Sequence, residues 1–369
     1  MRVVVVGTGV MGLSAAATLS RRGHHVVAVD RFGVGNRSAS SPGATRIWRM
    51  AHPDRTRVRL AAWTKELWRD LEARTGRTIL LERGLLWRGG EVESVAAALR
   101  SEGVAFEFVD EQRQQELFPE LRWKPGLQVI WQPDAGAVIA TEALAASAQV
   151  LQESDGRLLS DVSVTAITPG AGGGVRVESD AGEFDADVAV VTAGPWAGPL
   201  LARVGIEVDL HPVLEQVTYV RGGSSGGENA WEQRPCVIDV PEDASSFGFY
   251  AMPTPGVGYK VGLDDPLRDF DPGDLDRSPD SEREREALDR VRLDLPGLDP
   301  TLVRSEVCTW TDSPDSQFIL DRVGDVVVGC GDSGQAFKFH PMFGEVIADL
   351  VEGKPGHPDT VGFSVSRFG

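Results

Sequence analysis

Two arginines lie in a segment that is otherwise small and apolar, where their side chains could bind an anion. Arg46 and Arg49 belong to residues 40–50, which read S-S-P-G-A-T-R-I-W-R-M. Arginine presents a planar fork of N–H donors that matches a carboxylate or another electron-rich group. The residues alone leave a second interpretation open, because ordinary surface ion pairs also explain two arginines on a loop.

Three glycines near the N-terminus have the spacing of a dinucleotide-binding turn. Gly7, Gly9 and Gly12 follow a β-branched strand and open a helix predicted over 10–22, and Asp30 ends the next strand. In this motif the first glycine permits a tight turn, the second lets backbone amides approach a pyrophosphate, and the third allows close packing of the helix. The helix N-terminus attracts phosphate, and Asp30 is placed to accept hydrogen bonds from ribose. The motif predicts a dinucleotide but does not distinguish FAD from a nicotinamide cofactor.

The last third of the chain carries the most specific pattern. Residues 308–321 read C-T-W-T-D-S-P-D-S-Q-F-I-L-D, and residues 331–339 read G-D-S-G-Q-A-F-K-F. Together with the glycine turn, the T-R-x-x-R loop and the G-x-K-x-G strand at 258–262, they occur in the order typical of one family. The chain resembles the monomeric sarcosine oxidase and N-methyltryptophan oxidase family over essentially its whole length. That family consists of FAD-dependent amine oxidases within the glutathione-reductase-like superfamily.

The resemblance implies roles for the basic residues and for one cysteine. Cys308 would bind the flavin 8α-methyl group through a thioether, which would make the FAD covalent. Arg49 and Lys338 would bind the substrate carboxylate. Lys260 would lie beside the flavin and promote its reaction with O2, because a preorganised ammonium group stabilises the negative charge that develops on oxygen. Arg46 is assigned with Lys260 to catalysis, near the electron-rich part of the reduced flavin.

Each of these residues also has a purely structural interpretation. Cys308 also fits a buried, inert thiol, and Lys260 also fits a strand lysine that extends its amine to water. Lys338 fits a solvated side chain. Tyr250 and Trp310, which the resemblance places next to the substrate, also fit an ordinary apolar core.

The remaining FAD contacts implied by the resemblance extend from the ADP end to the flavin. A helix is predicted to start near Gln335, so that its N-terminus faces the flavin pyrimidine. The residues assigned to these contacts are Arg31, Ser41, Val164, Gly194, Trp196, Ser333 and Gly334.

Three positions depart from the family pattern. Pro42 stands where family members often carry histidine, Asp264 stands where they carry histidine after the active-site lysine, and Trp310 replaces a tyrosine. We therefore expect a larger or cyclic amino acid to be at least as suitable a substrate as sarcosine. Asp264 either belongs to a surface loop or recognises a hydroxyl or cationic group of the substrate.

Composition limits the possible partners. The 37 basic and 55 acidic residues give a formal charge of −18, which disfavours binding to nucleic acid or to anionic membranes. Three cysteines without metal-ligand spacing indicate a reducing cytoplasm and no metal site. No stretch has the roughly 20 apolar residues of a membrane span. We expect a cytoplasmic protein, soluble and monomeric.

The pattern of elements predicts an α/β flavoprotein with two domains. A Rossmann-type FAD-binding domain would comprise residues 1–82, 141–212 and 302–369. A substrate domain with a mainly antiparallel sheet would comprise 83–140 and 213–301. Helices are predicted over 10–22, 56–75, 141–153 and 336–352, and strands over 2–6, 25–30, 162–167, 174–178, 187–192, 217–220, 236–240, 247–252, 258–262 and 326–330. Solvated loops are predicted at 222–227 and 264–284.

The predicted activity is oxidation of a secondary amine or amino acid that bears a carboxylate, with O2 as the electron acceptor and H2O2 as a product. A D-amino acid or glycine oxidase, or a flavin dehydrogenase with another acceptor, remains an alternative. A nicotinamide-dependent dehydrogenase and a non-catalytic nucleotide-binding module are two further alternatives.

Overall fold

A computed structural model describes residues 1–170, 172–223, 229–241 and 248–368. The α-helices, numbered in chain order, are α1 Val10–Arg21, α2 Arg55–Thr75, α3 Val92–Ser101, α4 Glu111–Leu117, α5 Ala140–Glu153, α6 Ala197–Ala202, α7 Ser281–Asp294 and α8 His340–Glu352. Short 3-10 helices are Gly194–Trp196, Ala230–Gln233, Phe337–Phe339, Pro358–Phe363 and Val365–Phe368.

The strands, also in chain order, are β1 Arg2–Val6, β2 His25–Val29, β3 Thr45–Trp48, β4 Leu80–Glu82, β5 Leu85–Gly89, β6 Glu107–Phe108, β7 Val129–Gln132, β8 Gly136–Ile139, β9 Arg157–Leu159, β10 Val164–Pro169, β11 Val175–Ser179, β12 Gly182–Ala186, β13 Val188–Val191, β14 His211–Arg221, β15 Cys236–Val240, β16 Phe249–Thr254, β17 Gly258–Leu263, β18 Arg268–Asp269, β19 Asp299–Asp312, β20 Ile319–Val323 and β21 Val326–Cys330.

A six-stranded sheet forms the centre of the dinucleotide-binding part. Its order is β20-β21-β13-β1-β2-β9, and all neighbours are parallel except β20 and β21. The β-branched run of β1 is buried on both faces, as a parallel strand covered on each side requires. Helix α1 packs against α5 and α8 on one face, and Val4 and Val6 belong to the core on the other. The two ends of the chain therefore share this sheet, as the sequence predicts.

A nine-stranded, mainly antiparallel sheet forms the second layer. Its order is β18-β14-β17-β16-β15-β5-β7-β6, and β19 pairs with β14 along almost its whole length. Among its described strands, only β15 and β5 pair in parallel. The register places Lys260 of β17 opposite Tyr219 of β14, and Cys308 of β19 opposite Glu215 of β14. This sheet thus brings residues from distant parts of the chain to one surface.

Most predicted elements are confirmed within a few residues, and the α/β class is confirmed. The start of the last helix is wrong: residues 337–339 form a 3-10 turn, and α8 begins at His340 rather than near Gln335. Pro341 explains the position, because proline fits only the first turn of a helix. Residue 247 of the predicted strand 247–252, and residues 224–227 of the predicted loop 222–227, lie outside the described part of the chain.

The division into two domains remains a prediction, and two strand pairings cross its boundaries. Strand β19 starts before residue 302 but pairs throughout with β14 of the antiparallel sheet. Strand β8, predicted in the substrate domain, pairs with β3 and β4 in a separate three-stranded sheet. Pairing rather than chain position decides where these strands lie.

A buried ion network holds the antiparallel sheet to α7. The fully buried Arg88 of β5 donates to Asp239 of β15 at 2.5 Å and to Asp294 of α7 at 2.7 Å. Lys124 contacts both carboxylates, at 2.9 and 2.8 Å. Burial alone would raise the pKa of Asp239, but Arg88 and Lys124 outweigh burial and hold this pKa below its ordinary value.

We expect Arg88→Leu to destabilise the protein by about 3–5 kcal/mol, because two buried carboxylates would lose their main cation. Urea unfolding followed by intrinsic fluorescence measures the change. Arg176→Gln is the matched control, since Arg176 makes its ion pair with Asp185 on the surface and its loss should move the unfolding midpoint little. Equal shifts for the two variants would contradict a structural role for the network.

Candidate active site

One cavity of about 980 Å³ runs between the two sheets. Of the site residues predicted from the sequence, all except Gly12 line it. It begins at the glycine turn and Asp30 and continues to a basic end near Arg49 and Lys338. The structure therefore brings together residues that lie up to about 330 positions apart in the sequence.

The glycine turn at the first end is as tight as the motif predicts. Gly7 has a φ of +93°, and a Cβ there would lie 2.5 Å from the carbonyl oxygen of Thr192. A Cβ on Gly12 would lie 1.9 Å from the carbonyl oxygen of Gly7. Gly12 is thus required for the packing of α1 against the turn and needs no contact with the cavity.

The N-terminus of α1 faces this end of the cavity. No side chain caps the helix at Gly9, and the hydroxyl of Ser41 accepts a hydrogen bond from the Val10 amide at 2.9 Å. An uncapped helix N-terminus leaves backbone N–H donors for a phosphate.

Asp30 already accepts four hydrogen bonds from the chain. Its Oδ2 accepts from the amide and the hydroxyl of Thr8, and its Oδ1 accepts from the amides of Phe32 and Gly33. These bonds hold the turn to the loop after β2. Its expected contact with ribose stays a prediction, since the protein itself occupies most of the acceptor capacity of this carboxylate.

The middle of the cavity is bounded by the turn after β13. The hydroxyl of Thr192 donates to the carbonyl oxygens of Val6 and Gly7 at 3.1 and 3.0 Å. Trp196 donates from Nε1 to the carbonyl of Pro272 at 2.8 Å. Predicted cofactor contacts at Arg31, Val164 and Gly194 line the same stretch.

Arg46 is held by neutral oxygens. Its guanidinium donates to the carbonyl of Thr45 at 3.0 Å, to that of Ser40 at 3.2 Å and to that of Pro42. The surface ion pair suggested as an alternative for this residue does not appear among the described residues. Its charge is fixed beside the cavity and is not cancelled by an acid.

Lys260 is almost completely buried and also bonds a neutral oxygen. Its Nζ donates to the carbonyl of Thr45 at 2.9 Å. Burial, together with the charge of Arg46, lowers the pKa of Lys260 to about 7. A lysine that extends to water would not be buried in this way, so the structural alternative for Lys260 is wrong.

Cys308 lies on β19 within the same group of side chains. Burial raises the pKa of its thiol, while Arg46 and Lys260 act in the opposite direction. Tyr250 lies close to it, with a pKa raised well above its ordinary value by burial. A Cβ on Gly262 would lie 2.3 Å from the Tyr250 ring, so the second glycine of the G-x-K-x-G strand makes room for this tyrosine.

The loop after β21 closes the cavity opposite Trp310. Ser333 has a φ of +43° and Gly334 a φ of +68°, and the Ser333 amide donates to the carbonyl of Thr311 at 3.0 Å. Trp310 donates from Nε1 to Asp312 at 3.0 Å. A Cβ on Gly334 would lie 3.5 Å from the Trp310 ring, so the loop and this ring pack directly together.

Arg49 and Lys338 lie at the basic end, where Lys338 is buried and Arg49 is half-buried. Burial lowers the pKa of Arg49 to about 9, which Glu91 and Asp264 partly offset. Burial and the charges of Arg49 and Arg57 hold the pKa of Lys338 well below its ordinary value. Lys338 donates to the carbonyl of Gln335 at 3.2 Å. Neither cation makes an ion pair within the described ranges.

Sequence reasoning missed several residues of the cavity. His52, Arg57 and Glu215 line it but belong to no motif. Glu215 could have been found only from its pairing opposite Cys308. Asp264, one of the two alternatives left open by the sequence, lines the cavity rather than only the surface.

The residues present fit FAD. A tight glycine turn and an uncapped helix suit the pyrophosphate, and a single cavity joins them to the basic group around Lys260. In the described part of the chain, no group of three or more His, Cys, Asp or Glu side chains is arranged to hold a metal. Within the same ranges, no helix combines the length and apolar character needed to cross a bilayer.

Comparison with known proteins agrees with this geometry. The chain is 28% identical to monomeric sarcosine oxidase from Bacillus sp. (strain B-0618), covering 99% of this chain and 95% of that protein. It is 26% identical to N-methyl-L-tryptophan oxidase from Yersinia pestis (strain Pestoides F), covering 99% and 98%. The open form of NikD, an unusual amino acid oxidase essential for nikkomycin biosynthesis, superposes with a TM-score of 0.86 at 28% identity, covering 98% of this chain and 96% of that one.

The predicted resemblance to sarcosine and N-methyltryptophan oxidases is thus confirmed over nearly the whole length. The family model described as DAO, FAD dependent oxidoreductase, matches residues 2–350. The chain belongs to this family of FAD-dependent oxidoreductases.

Proposed function

We propose that this protein is an FAD-dependent oxidase of a secondary amine or amino acid that bears a carboxylate. The observation that carries the proposal is the basic end of the cavity, where neither Arg49 nor Lys338 forms an ion pair with any described residue, although Glu91 and Asp264 act on Arg49 from a distance. Buried cations without a counter-ion are costly, and an amino-acid carboxylate would supply one. The names of the relatives, sarcosine oxidase and N-methyl-L-tryptophan oxidase, support the same class.

When bound, FAD would accept a hydride from the amine carbon at N5 and pass the electrons to O2, giving an imine and H2O2. Arg49 and Lys338 would fix the carboxylate, so that only one orientation of the amine carbon is possible. Positioning of this kind accelerates a reaction by removing the entropy cost of finding the reactive geometry. Tyr250 and Trp310 would restrict the remaining space around the amine.

Lys260 and Arg46 would act on the oxygen half of the reaction. Reduction of O2 creates negative charge, and a fixed ammonium group in a site of low dielectric stabilises that charge. Because Lys260 and Arg46 bond only to carbonyl oxygens among the residues that the structure describes, their charge would remain available. Asp264 also lines the cavity, and its carboxylate would suit a cationic or hydroxyl group of the substrate.

We further propose a thioether between Cys308 and the flavin 8α-methyl group. Formation of this bond removes the thiol proton and one methyl hydrogen, and the two electrons released would pass to O2. The position of Cys308 in the cavity, close to Lys260 and Arg46, supports this assignment. We also propose that the protein is a cytoplasmic monomer. The cysteine count supports the cytoplasm, and the name of the bacterial relative, monomeric sarcosine oxidase, supports the monomer.

The function is tested by mixing the FAD-loaded protein anaerobically with sarcosine, proline, pipecolate and N-methyltryptophan. At least one should bleach the flavin absorbance, and air should then restore it with one H2O2 per substrate.

In Lys338→Met the substrate concentration for half-maximal bleaching should rise about 10- to 100-fold, because one charge-assisted hydrogen bond to the carboxylate is lost.

Lys354→Met is the control for Lys338→Met, because Lys354 is exposed and pairs with Glu352 on the surface. Bleaching without peroxide would favour a dehydrogenase. Absence of bleaching with every amine would contradict the proposed oxidase.

Lys260→Met should slow reoxidation by O2 about 100-fold while leaving anaerobic bleaching much less affected. The pKa of Lys260 is lowered to about 7, so its ammonium form is lost as the pH rises through that value. In the unmodified enzyme the reoxidation rate should therefore fall between about pH 6 and 8, and in Lys260→Met this step should be absent. Stopped-flow mixing of the reduced enzyme with oxygenated buffer measures both effects. A pH step that survives the substitution would assign the titration to another group.

Cys308→Ser should release its flavin into the supernatant on acid precipitation, whereas the unmodified protein should keep the yellow colour in the pellet. Cys330→Ser is the matched control, because Cys330 is a second free cysteine that lines the same cavity. Free flavin from the unmodified protein would refute the bond to Cys308, and retention in Cys308→Ser would assign the bond elsewhere.

A further inference from the structure

A further basic side chain, outside every motif of the sequence, lines the same cavity. Arg57 lies in the first turn of α2 and is only 5% exposed. Its backbone amide donates to the Asp54 carboxylate at 3.1 Å, which fixes where the side chain starts. The charges of Arg57, Arg49 and Lys338 all act on the buried ring of His52, so these groups form one basic cluster.

The hydrogen bonds of Arg57 are incomplete. Nη2 donates to the side-chain oxygen of Gln317 at 2.7 Å, while Nη1 is buried without a hydrogen-bond partner. The guanidinium carbon lies 4.1 Å from the centre of the Phe318 ring, and a ring face does not replace the hydrogen bonds that a buried guanidinium needs. Gln317 also lines the cavity, and its amide nitrogen donates to no described side chain or carbonyl.

The acids nearest to Arg57 are engaged elsewhere. The Asp54 carboxylate caps α2, and Asp315 forms an ion pair with Arg367 at 2.7 Å. Within the described part of the chain, Arg57 itself makes no ion pair. Asp54 and Asp315 therefore offset the charge of Arg57 only from a distance.

Glu91 and Asp264 offset part of the charge of this cluster at Arg49, but a single substrate carboxylate would still leave Arg57 without an ion pair among the described residues. Under the proposed function, one carboxylate binds Arg49 and Lys338, which leaves Arg57 buried with an unused donor. Like charges held together in a site of low dielectric repel one another strongly. A second anionic group at Arg57 would remove both the repulsion and the missing hydrogen bond.

We propose that Arg57 and Gln317 bind a second carboxylate, so that the preferred substrates are secondary amino acids with two carboxylates. This inference rests on the proposed amine oxidase function, because that function supplies the first carboxylate and its position. The planar guanidinium and the adjacent amide offer N–H donors of the kind that recognise a carboxylate.

The test measures binding rather than turnover. Thioethers of acetic acid carry a sulfur in place of the amine, so they bind without being oxidised. A series with the structure HOOC–CH2–S–(CH2)n–COOH, where n runs from one to three, is compared with the monocarboxylic partners HOOC–CH2–S–(CH2)n–H. Dissociation constants are taken from the change in the visible absorbance of the FAD-loaded enzyme. We expect at least one dicarboxylate to bind about 10- to 100-fold more tightly than its partner.

Two variants assign this preference to Arg57. Arg57→Gln removes the charge, and Gln317→Glu retains Arg57 but gives it a carboxylate from the protein itself. In both variants, the dissociation constants of a dicarboxylate and its monocarboxylic partner should differ by no more than about threefold. Binding of the monocarboxylates themselves should change much less. Gln317→Glu keeps the Arg57 side chain and its contact with Phe318, so it tests the inference even if Arg57→Gln does not fold.

Three results would overturn the inference. The first is that no dicarboxylate binds more tightly than its partner at any chain length. The second is that the preference persists in Gln317→Glu. The third is that mono- and dicarboxylates weaken equally in the variants, as a purely structural role for Arg57 would give. The oxidase proposal is judged separately, by whether monocarboxylic amines bleach the flavin anaerobically, so the two can fail independently.

Discussion

Positive charge buried beside neutral oxygens is the constraint on which the rest of the cavity depends. Arg46, Lys260 and Lys338 come from three different parts of the chain, and each donates to backbone carbonyls rather than to a carboxylate. A carbonyl satisfies the donor without cancelling its charge. The protein thus bears the cost of desolvation, and the positive potential remains available to a ligand. Arg88, which is buried outside the cavity, is by contrast paired with two acids. Its charge is neutralised within the protein and is not available to a ligand.

Holding those cations in place requires both sheets. The strand that carries Cys308 and Trp310 pairs with β14 of the antiparallel sheet, and the loop that carries Lys338 follows β21 of the parallel sheet. The cavity lies where these surfaces meet, so neither sheet alone has the full set of contacts. The glycine turn fixes only the dinucleotide end, and the specificity of the chemistry resides in segments distant from it.

Features that depend on neighbours in the sequence could be predicted, and features that depend on strand pairing could not. The glycine turn, helix α1 and the buried run of β1 follow from local spacing and composition. Cys308, Lys260 and Lys338 were recognised because each belongs to a motif. Glu215, by contrast, reaches the cavity because strand pairing places it opposite Cys308. Arg57 reaches the cavity because of the direction in which α2 extends from its N-cap, Asp54. The start of α8 was misplaced because a 3-10 turn and an α-helix share the same local signals before Pro341.

The order of strands in the parallel sheet also has a consequence in time. Strand β1 lies between β2 and β13, and β13 in turn pairs with β21 at residues 326–330. Synthesis at about 5–20 residues per second separates the first and last of these strands by roughly 16–65 seconds. During that interval the apolar strand β1 and its glycine turn have been synthesised, but β21 has not. The parallel sheet, and with it the part of the cavity that follows β21, can therefore form only after residues 326–330 have been made.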